Sequence, residues 1–264
     1  MCDGFGSINV VGTVQSDALI EISGIAAGRT SDGVVWAHND SRSGPLIHAI
    51  GEDGTDLGAT EIGRAFSFDW EDMAAGPGPD EAVSYLYVGD IGDNLAIRGG
   101  QITVYRVAEP QPGIVSVPAD VLGLAYPEGE ALNAEALFVD PIDLGLYIIT
   151  RNREVARVYR ADAAAADGGE QTLEFIAALP LGAGVTGADI TPDGRVIALR
   201  GERNVWMWYR PDGTTVAEAL DGAWCNAPSP DERQGESIAF IADGAYLTIS
   251  EGSHPPIHRV DQSS

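Results

Sequence analysis

One unit of sequence is written five times along this chain, and that repetition limits the fold more than any other feature. The copies read SGIAAGRTSDGVVWAHND (23–40), EDMAAGPGPDEAVSYLYVGD (71–90), EALFVDPIDLGLYIITRN (135–152), TGADITPDGRVIALRGE (186–202) and ESIAFIADGAYLTISEG (236–252). Each is a run of alternating apolar and polar residues, a break rich in Gly, Pro and Asp, and a second alternating run, the pattern of two antiparallel strands joined by a turn. The first residues of successive copies are separated by 48, 64, 51 and 50 positions. A third strand follows in every copy: PLIHAIG, GQITVYRV, VARVYRA, VWMWYRPDG and PIHRVD. Four copies add a fourth, as TDLGATEI, VLGLAYP, TLEFIAAL and TTVAEAL. Repeats of roughly 40–50 residues with about four strands each are the signature of propeller blades. The fifth copy lacks a fourth strand, while INVVGTV (8–14) is a strand to spare. Pairing it with the last blade closes the ring and removes an open sheet edge. The expected fold is therefore all-β: a five-bladed β-propeller spanning 1–264 as a single domain, its last blade completed by the N-terminal strand.

Two connections depart from tight turn chemistry. AEPQPGIVSVPAD (108–120) accounts for the long second spacing, and ADAAAADGGEQ (161–171) is a looser surface excursion with room for a helical turn. No apolar run approaches the roughly 20 residues that a membrane-spanning helix needs. The formal net charge is −25, and all 15 basic residues are Arg. Such a field repels nucleic acid and anionic lipid, which removes both as partners, and the expected molecule is a monomer. The chain opens MCDGFGS, as a chain begun just after a removed leader would. Cys2 is then either a former lipid-bearing residue or half of a disulfide with Cys225, the only other cysteine; both readings place the protein outside the cytoplasm, secreted, periplasmic or at the cell surface. Trp70, Trp206 and Trp208, like His38 and His48, read as packing residues of the strands.

In a propeller the first strand of each blade lines the central channel. The residues that begin those strands are Ser23, Glu71, Glu135, Thr186 and Glu236. Three carboxylates meeting at one point repel by several kcal/mol in total even at an effective dielectric of about 20. A hard divalent cation relieves that repulsion, and an all-oxygen set of five side chains plus waters suits Ca²⁺ better than zinc. Asp69 and Asp72 flank Glu71 and replace it if the register is displaced by a residue or two.

Strand two runs back toward the face where the ring residues begin, so the loops after it surround the channel mouth. They read NDSRSG, GDIGDNLAIR, TRNRE, RGERN and SEGSH. These loops carry Asp40, Asp90, Asp93 and Glu251 together with six arginines: Arg42, Arg98, Arg151, Arg153, Arg200 and Arg203. Guanidinium groups converging beside a cation suit an anion with several oxygens, above all a phosphoryl group. In that chemistry Arg42, Arg151 and Arg200 stabilise charge on the transferring group, Asp40 or Asp93 orients or deprotonates water, and His254 is an alternative acid or base. GDIGDN also reads as a backbone device, its acids bonding local amides.

The ring order Ser, Glu, Glu, hydroxyl, Glu resembles that of the calcium-activated nucleotidases of the apyrase type, five-bladed propellers with a central calcium. Thr186 stands where that family has Ser, and NDSRSG (39–44) loosely matches its DDRTG-like turn. The motifs DWEDMA, YVGDIGDN, NAEALFVDP, TGADITPDG and QGESIAF are similar to those of uncharacterised bacterial propellers distantly like phytase-type and esterase-like calcium propellers. The resemblance implies the architecture and the calcium, and with the arginine-rich mouth the expected activity is that of a calcium-dependent hydrolase of phosphate esters acting on a small phosphorylated substrate. Two other readings stand beside it: a non-enzymatic binding propeller with structural calcium, and a calcium-dependent carboxylesterase or lactonase.

Overall fold

The computed structural model describes residues 1–40 and 43–262. Five sheets, each built on four antiparallel strands, follow one another round a ring. Blade 1 is built from Ile22–Ala27, Val34–Asn39, Leu46–Gly51 and Asp56–Gly63, and blade 2 from Trp70–Gly76, Tyr85–Asp90, Gln101–Ala108 and Asp120–Ala125. Blade 3 comprises Ala134–Val139, Gly145–Thr150, Ala156–Asp162 and Glu174–Leu179, and blade 4 Val185–Ile190, Val196–Gly201, Asn204–Tyr209 and Trp224–Ala227. Blade 5 takes Gly235–Phe240, Tyr246–Ser250 and Pro256–Gln262 from the end of the chain, and its outer strand, Phe5–Thr13, from the beginning. The spare strand thus closes the ring, as the repeat requires.

Each junction between neighbouring blades encloses its own apolar layer. Trp36 and Trp70 fill the layer between blades 1 and 2, Trp206 and Trp208 that between blades 3 and 4, and Ile25, Leu247 and Ile249 that between blades 5 and 1. At the hub two buried carboxylates fasten the inner strands. Asp72 accepts the backbone N–H groups of Met73 (2.8 Å), Leu137 (2.9 Å) and Ala188 (3.0 Å), tying blade 2 to blades 3 and 4. Asp189 accepts those of Ile190 (2.8 Å) and Phe240 (2.7 Å), tying blade 4 to blade 5. Desolvation drives the carboxyl of Asp72 well above the usual range and that of Asp189 up to about 6, against the pull of those amides.

The rim has a device of its own: in each blade the chain approaching the outer strand first touches the blade before it. In blade 2 that segment lays Ser116–Pro118 parallel to the outer strand of blade 1, and in blade 3 it lays Glu170–Thr172 parallel to the outer strand of blade 2. In blade 4 the same position is an α-helix, Val216–Asp221, packed on the outer strand of blade 3. In blade 1 the turn at 52–55 presses on the outer strand of blade 5. Gln15 N donates to Gly54 O there (2.9 Å), and a Cβ on Gly12 would lie 1.9 Å from Asp53 O, so that contact needs glycine. In blade 5 the contact is covalent: Cys2, just ahead of the closing strand, forms a disulfide with Cys225 in the outer strand of blade 4.

Two expectations are corrected here. The stretch TTVAEAL is helical over most of its length. Thr215 and Glu218 form a reciprocal capping box and Ala-Glu-Ala-Leu has high helix propensity, so the outer strand of blade 4 is Trp224–Ala227 instead. The excursions at 108–120 and 161–171 each contribute a short parallel strand to the neighbouring blade. The disulfide takes up Cys2 and is compatible with an oxidising compartment. Among the described residues no helix is long and apolar enough to cross a membrane.

The disulfide spans 223 residues of sequence, so in the chain-entropy account its loss costs about 5 kcal/mol. Cys225→Ser, or reduction of the native protein, is expected to lower the Tm by on the order of 10 °C. A Tm that stays put on reduction would mean that packing alone holds this junction.

Candidate functional site

The inner strands share a local irregularity at one position. In every one of them the pairing with strand two skips the second residue, between Ile22 and Gly24, Trp70 and Asp72, Ala134 and Ala136, Val185 and Gly187, and Gly235 and Ser237. The skipped residues are Ser23, Glu71, Glu135, Thr186 and Glu236, and all five are buried. A bulge of this kind leaves one residue out of the ladder and re-aims its side chain.

The two hydroxyls act on backbone. Ser23 Oγ donates to Glu71 O of blade 2, and Thr186 Oγ1 donates to Gly235 O of blade 5 (3.0 Å), each reaching the next inner strand at its own bulge. The three carboxylates differ in their surroundings. Glu135 is gripped by Arg151 and accepts from Asn133 Nδ2 (2.9 Å). Burial raises its carboxyl, and Arg151 opposes the rise. Glu236 is pushed up to about 8, chiefly by burial, with Arg151 again opposing and Glu135 and Glu251 adding repulsion. Glu71 lies well above the carboxylate range, first through burial and then through the charges of Glu135, Asp40, Asp69 and Glu236.

Glu71 also stands in a close group of three carboxylates. Carboxylate oxygens of Asp40, Asp69 and Glu71 all lie within 4.8 Å of one another. The backbone leaves room for them at Gly92, where a Cβ would fall 2.2 Å from Glu71 Oε1 and 2.4 Å from Asp69 Oδ2. Three hard oxygen donors at this separation, in a pocket that keeps a glycine beside them, fit a calcium-type cation. This group shares Glu71 with the five ring positions and sets Asp69 and Asp40, the latter from the first mouth loop, beside it, while Asp72 turns away to bind amides.

The remaining mouth residues divide sharply. Arg151 stays at the ring between Glu135 and Glu202 (3.1 Å to the latter). With the exposed Arg153 and Arg203 it lines a cleft of about 250 Å³ between blades 3 and 4. Arg200, expected to clamp substrate, is fully buried against Glu232, whose other oxygen receives Thr248 Oγ1 (2.9 Å) and lies 2.7 Å from His258 Nδ1. It belongs to strand two of blade 4 rather than to the loop after it, and its place is structural. Asp93, expected as a base, has both oxygens occupied by the N–H groups of Ile97 (2.8 Å) and Arg98, so it organises its loop. Arg98 is held by Asp90. His254 lies at the edge of blade 5, its Nδ1 2.9 Å from Val14 O and its Nε2 3.2 Å from Asp17, and neither of these contacts reaches the acidic group. Arg42 falls outside the described residues. Asp69 had only its place beside Glu71 to signal it, and the pairing of Arg200 with Glu232 bridges blades 4 and 5 in a way no local motif encodes.

The ring closure, the five inner strands and the hub define a five-bladed β-propeller. No protein-family model matches the sequence, and no curated protein does. Solved structures similar in shape include a glucose dehydrogenase at 9% identity, covering 98% of this chain and 100% of that one with a TM-score of 0.56. The soluble aldose sugar dehydrogenase of Escherichia coli in its apo form gives 9%, 97%, 99% and 0.53, and the putative oxidoreductase (glucose dehydrogenase) of Thermus thermophilus gives 11%, 97%, 99% and 0.51. At these identities the likeness is one of fold.

The raised carboxyls at the hub make stability depend on pH. The folded, metal-free protein keeps protons that an unfolded Glu releases near pH 4.3, so its stability falls as pH rises from there through about 8, where Glu236 ionises. The Tm of chelator-treated protein is expected to drop by roughly 5–10 °C between pH 5.5 and 8.5, and millimolar calcium to restore most of it at the upper pH. A Tm in chelator that rises over this interval would contradict the reading of the hub.

Proposed function

We propose that this chain is a divalent-cation-dependent hydrolase of phosphate esters, with calcium as the cation and the reacting group above the channel mouth. The observation that carries the reading is the convergence of Asp40, Asp69 and Glu71 beside the buried Glu135 and Glu236, an acidic hub that a cation of this type relieves. The order of the ring side chains, with its resemblance to the apyrase-type nucleotidases, supports the same class. When bound, calcium would supply Lewis-acid polarisation of a substrate oxygen.

The chain's own residues supply the rest. Arg151, held in place by Glu135 and Glu202, presents a guanidinium to an oxygen that gains charge during transfer. Arg153 and Arg203 beside it draw an anionic substrate toward the ring. Glu236, raised by burial, would accept a proton from the attacking water once a cation at the hub favours its ionised form, a role the sequence also offers to Asp40 or Asp93. Asp40 helps hold the cation side of the site. The substrate is a small phosphorylated molecule, and the location is outside the cytoplasm, in keeping with the disulfide.

A second reading, hydrolysis of a carboxylic ester or lactone, draws on one observation: with Arg200 buried, a single arginine among the described residues contacts the ring carboxylates. Purified protein assayed on 4-nitrophenyl phosphate and 4-nitrophenyl acetate, with calcium and then with chelator, separates the possibilities. Calcium-dependent release from the phosphate ester is expected, reduced about 10²–10³-fold in Arg151→Ala, assayed below the Tm of the variant because Glu135 loses its partner there. Arg200→Ala instead leaves Glu232 buried without its partner and should cost about 3–5 kcal/mol of stability. Turnover of the acetate alone, indifferent to Arg151→Ala, would favour the carboxylic ester. Turnover of neither would leave a binding propeller.

A further inference from the structure

Beside the acidic group lies a surface that the proposed chemistry does not use. Residues 66–69 lead into the inner strand of blade 2, and residues 93–97 follow its second strand. Between them is a cleft of about 380 Å³. Four large apolar side chains line it in the open: Phe66 is 68% exposed, Phe68 43%, Leu95 78% and Ile97 63%. Asp69 lines the same cleft and belongs to the cation group, so the apolar walls open directly onto the acidic pole.

The exposure is built in by buried polar anchors. Tyr105 Oη accepts the Phe66 N–H (3.1 Å), and Trp70 Nε1 donates to Phe66 O (3.2 Å). The carboxylate of Asp90 accepts the N–H groups of Phe68 (3.3 Å) and Asp69 (3.1 Å). Arg98, held by Asp90, lies over the Phe68 ring at 4.7 Å. On the opposite wall Asp93 fixes the amides of Ile97 and Arg98, and Ala96 takes a left-handed conformation, φ 52°, between Leu95 and Ile97. A non-glycine residue in that region is held there by its surroundings. Two walls so fastened keep apolar surface in water before any ligand arrives, which is the preorganisation a binding site requires.

We propose that this cleft is the subsite for the organic group of the substrate, and that the group is apolar, an aryl or alkyl moiety whose ester end reaches Asp69 and the hub. The proposal rests on the function proposed above for the position of the ester, while the apolar character of the occupant rests on the cleft alone. It makes Phe66, Phe68, Leu95 and Ile97 specificity-determining residues, and it makes a phosphate monoester of an apolar alcohol or phenol a better substrate than one of a small polar alcohol.

The test compares benzylphosphonate with methylphosphonate by calorimetric titration in saturating calcium, on the native chain and on Phe66→Ser/Leu95→Ser, with the Tm measured to verify folding; both replaced side chains are mostly exposed. The benzyl compound is expected to bind about 10- to 100-fold more tightly, from the apolar area a phenyl group buries. The double variant should erase that advantage and leave methylphosphonate affinity unchanged. Equal binding of the two compounds, or an advantage that survives the double variant, overturns the proposal. Should neither phosphonate bind, the ester reading fails by itself, and benzyl alcohol followed through the methyl resonances of Leu95 and Ile97 decides the cleft: shifts confined to these residues sustain an apolar subsite, and their absence overturns it. A native dimer that the double variant dissociates, with aryl probes leaving those resonances unmoved, would make the cleft a contact between copies and also overturns the proposal.

Discussion

Negative charge held close together and away from water is the condition on which this molecule is built. A bulge at the second position of every inner strand releases one polar side chain from the sheet. Where that side chain is Ser or Thr it stitches to the next strand, and where it is Glu it adds to a charge that solvent screens poorly. Blade packing, hub carboxylates and rim contacts are strong enough to hold Glu71, Glu135 and Glu236 in that arrangement. The hub is thereby a reservoir of electrostatic strain that protonation releases and that a cation seated there would release as well.

Asp72 and Asp189 show that carboxylates at the hub have two distinct uses. Both are buried and both are spent on backbone N–H groups of other blades, which aligns the strands whose neighbouring residues form the site. Arg200 and Glu232 do the equivalent between blades 4 and 5. In a chain this acidic, arginine is distributed mainly as a partner for particular carboxylates, and the exposed Arg153 and Arg203, in the cleft beside the paired Arg151, stand apart from that pattern.

The architecture was legible because propeller blades repeat: five copies of alternating strands, a missing fourth strand and a spare one define the ring without reference to any long-range contact. The ring positions were legible for the same reason, since one residue per copy occupies an equivalent place. What depends on pairs of residues distant in sequence was not. Asp40 and Asp69 come together because the end of the second strand of blade 1 and the approach to blade 2 share a corner. Arg200 turns inward because Glu232 waits in the next blade. The helix at Val216–Asp221 was hidden by the expectation that a fourth segment must be a strand, although its Thr215 and Glu218 spell a capping box. The loop role of Asp93 was visible in the glycines and acids of GDIGDN, and the geometry selects it over catalysis.

At each rim junction a segment of one blade is laid over its predecessor, as a parallel strand, a helix, a turn or a disulfide. Such an arrangement works like overlapping roof tiles: no sheet can be lifted without disturbing the one that covers it. Damage at one seam therefore spreads round the circle instead of freeing a single blade, and the protein should come apart as a whole or not at all.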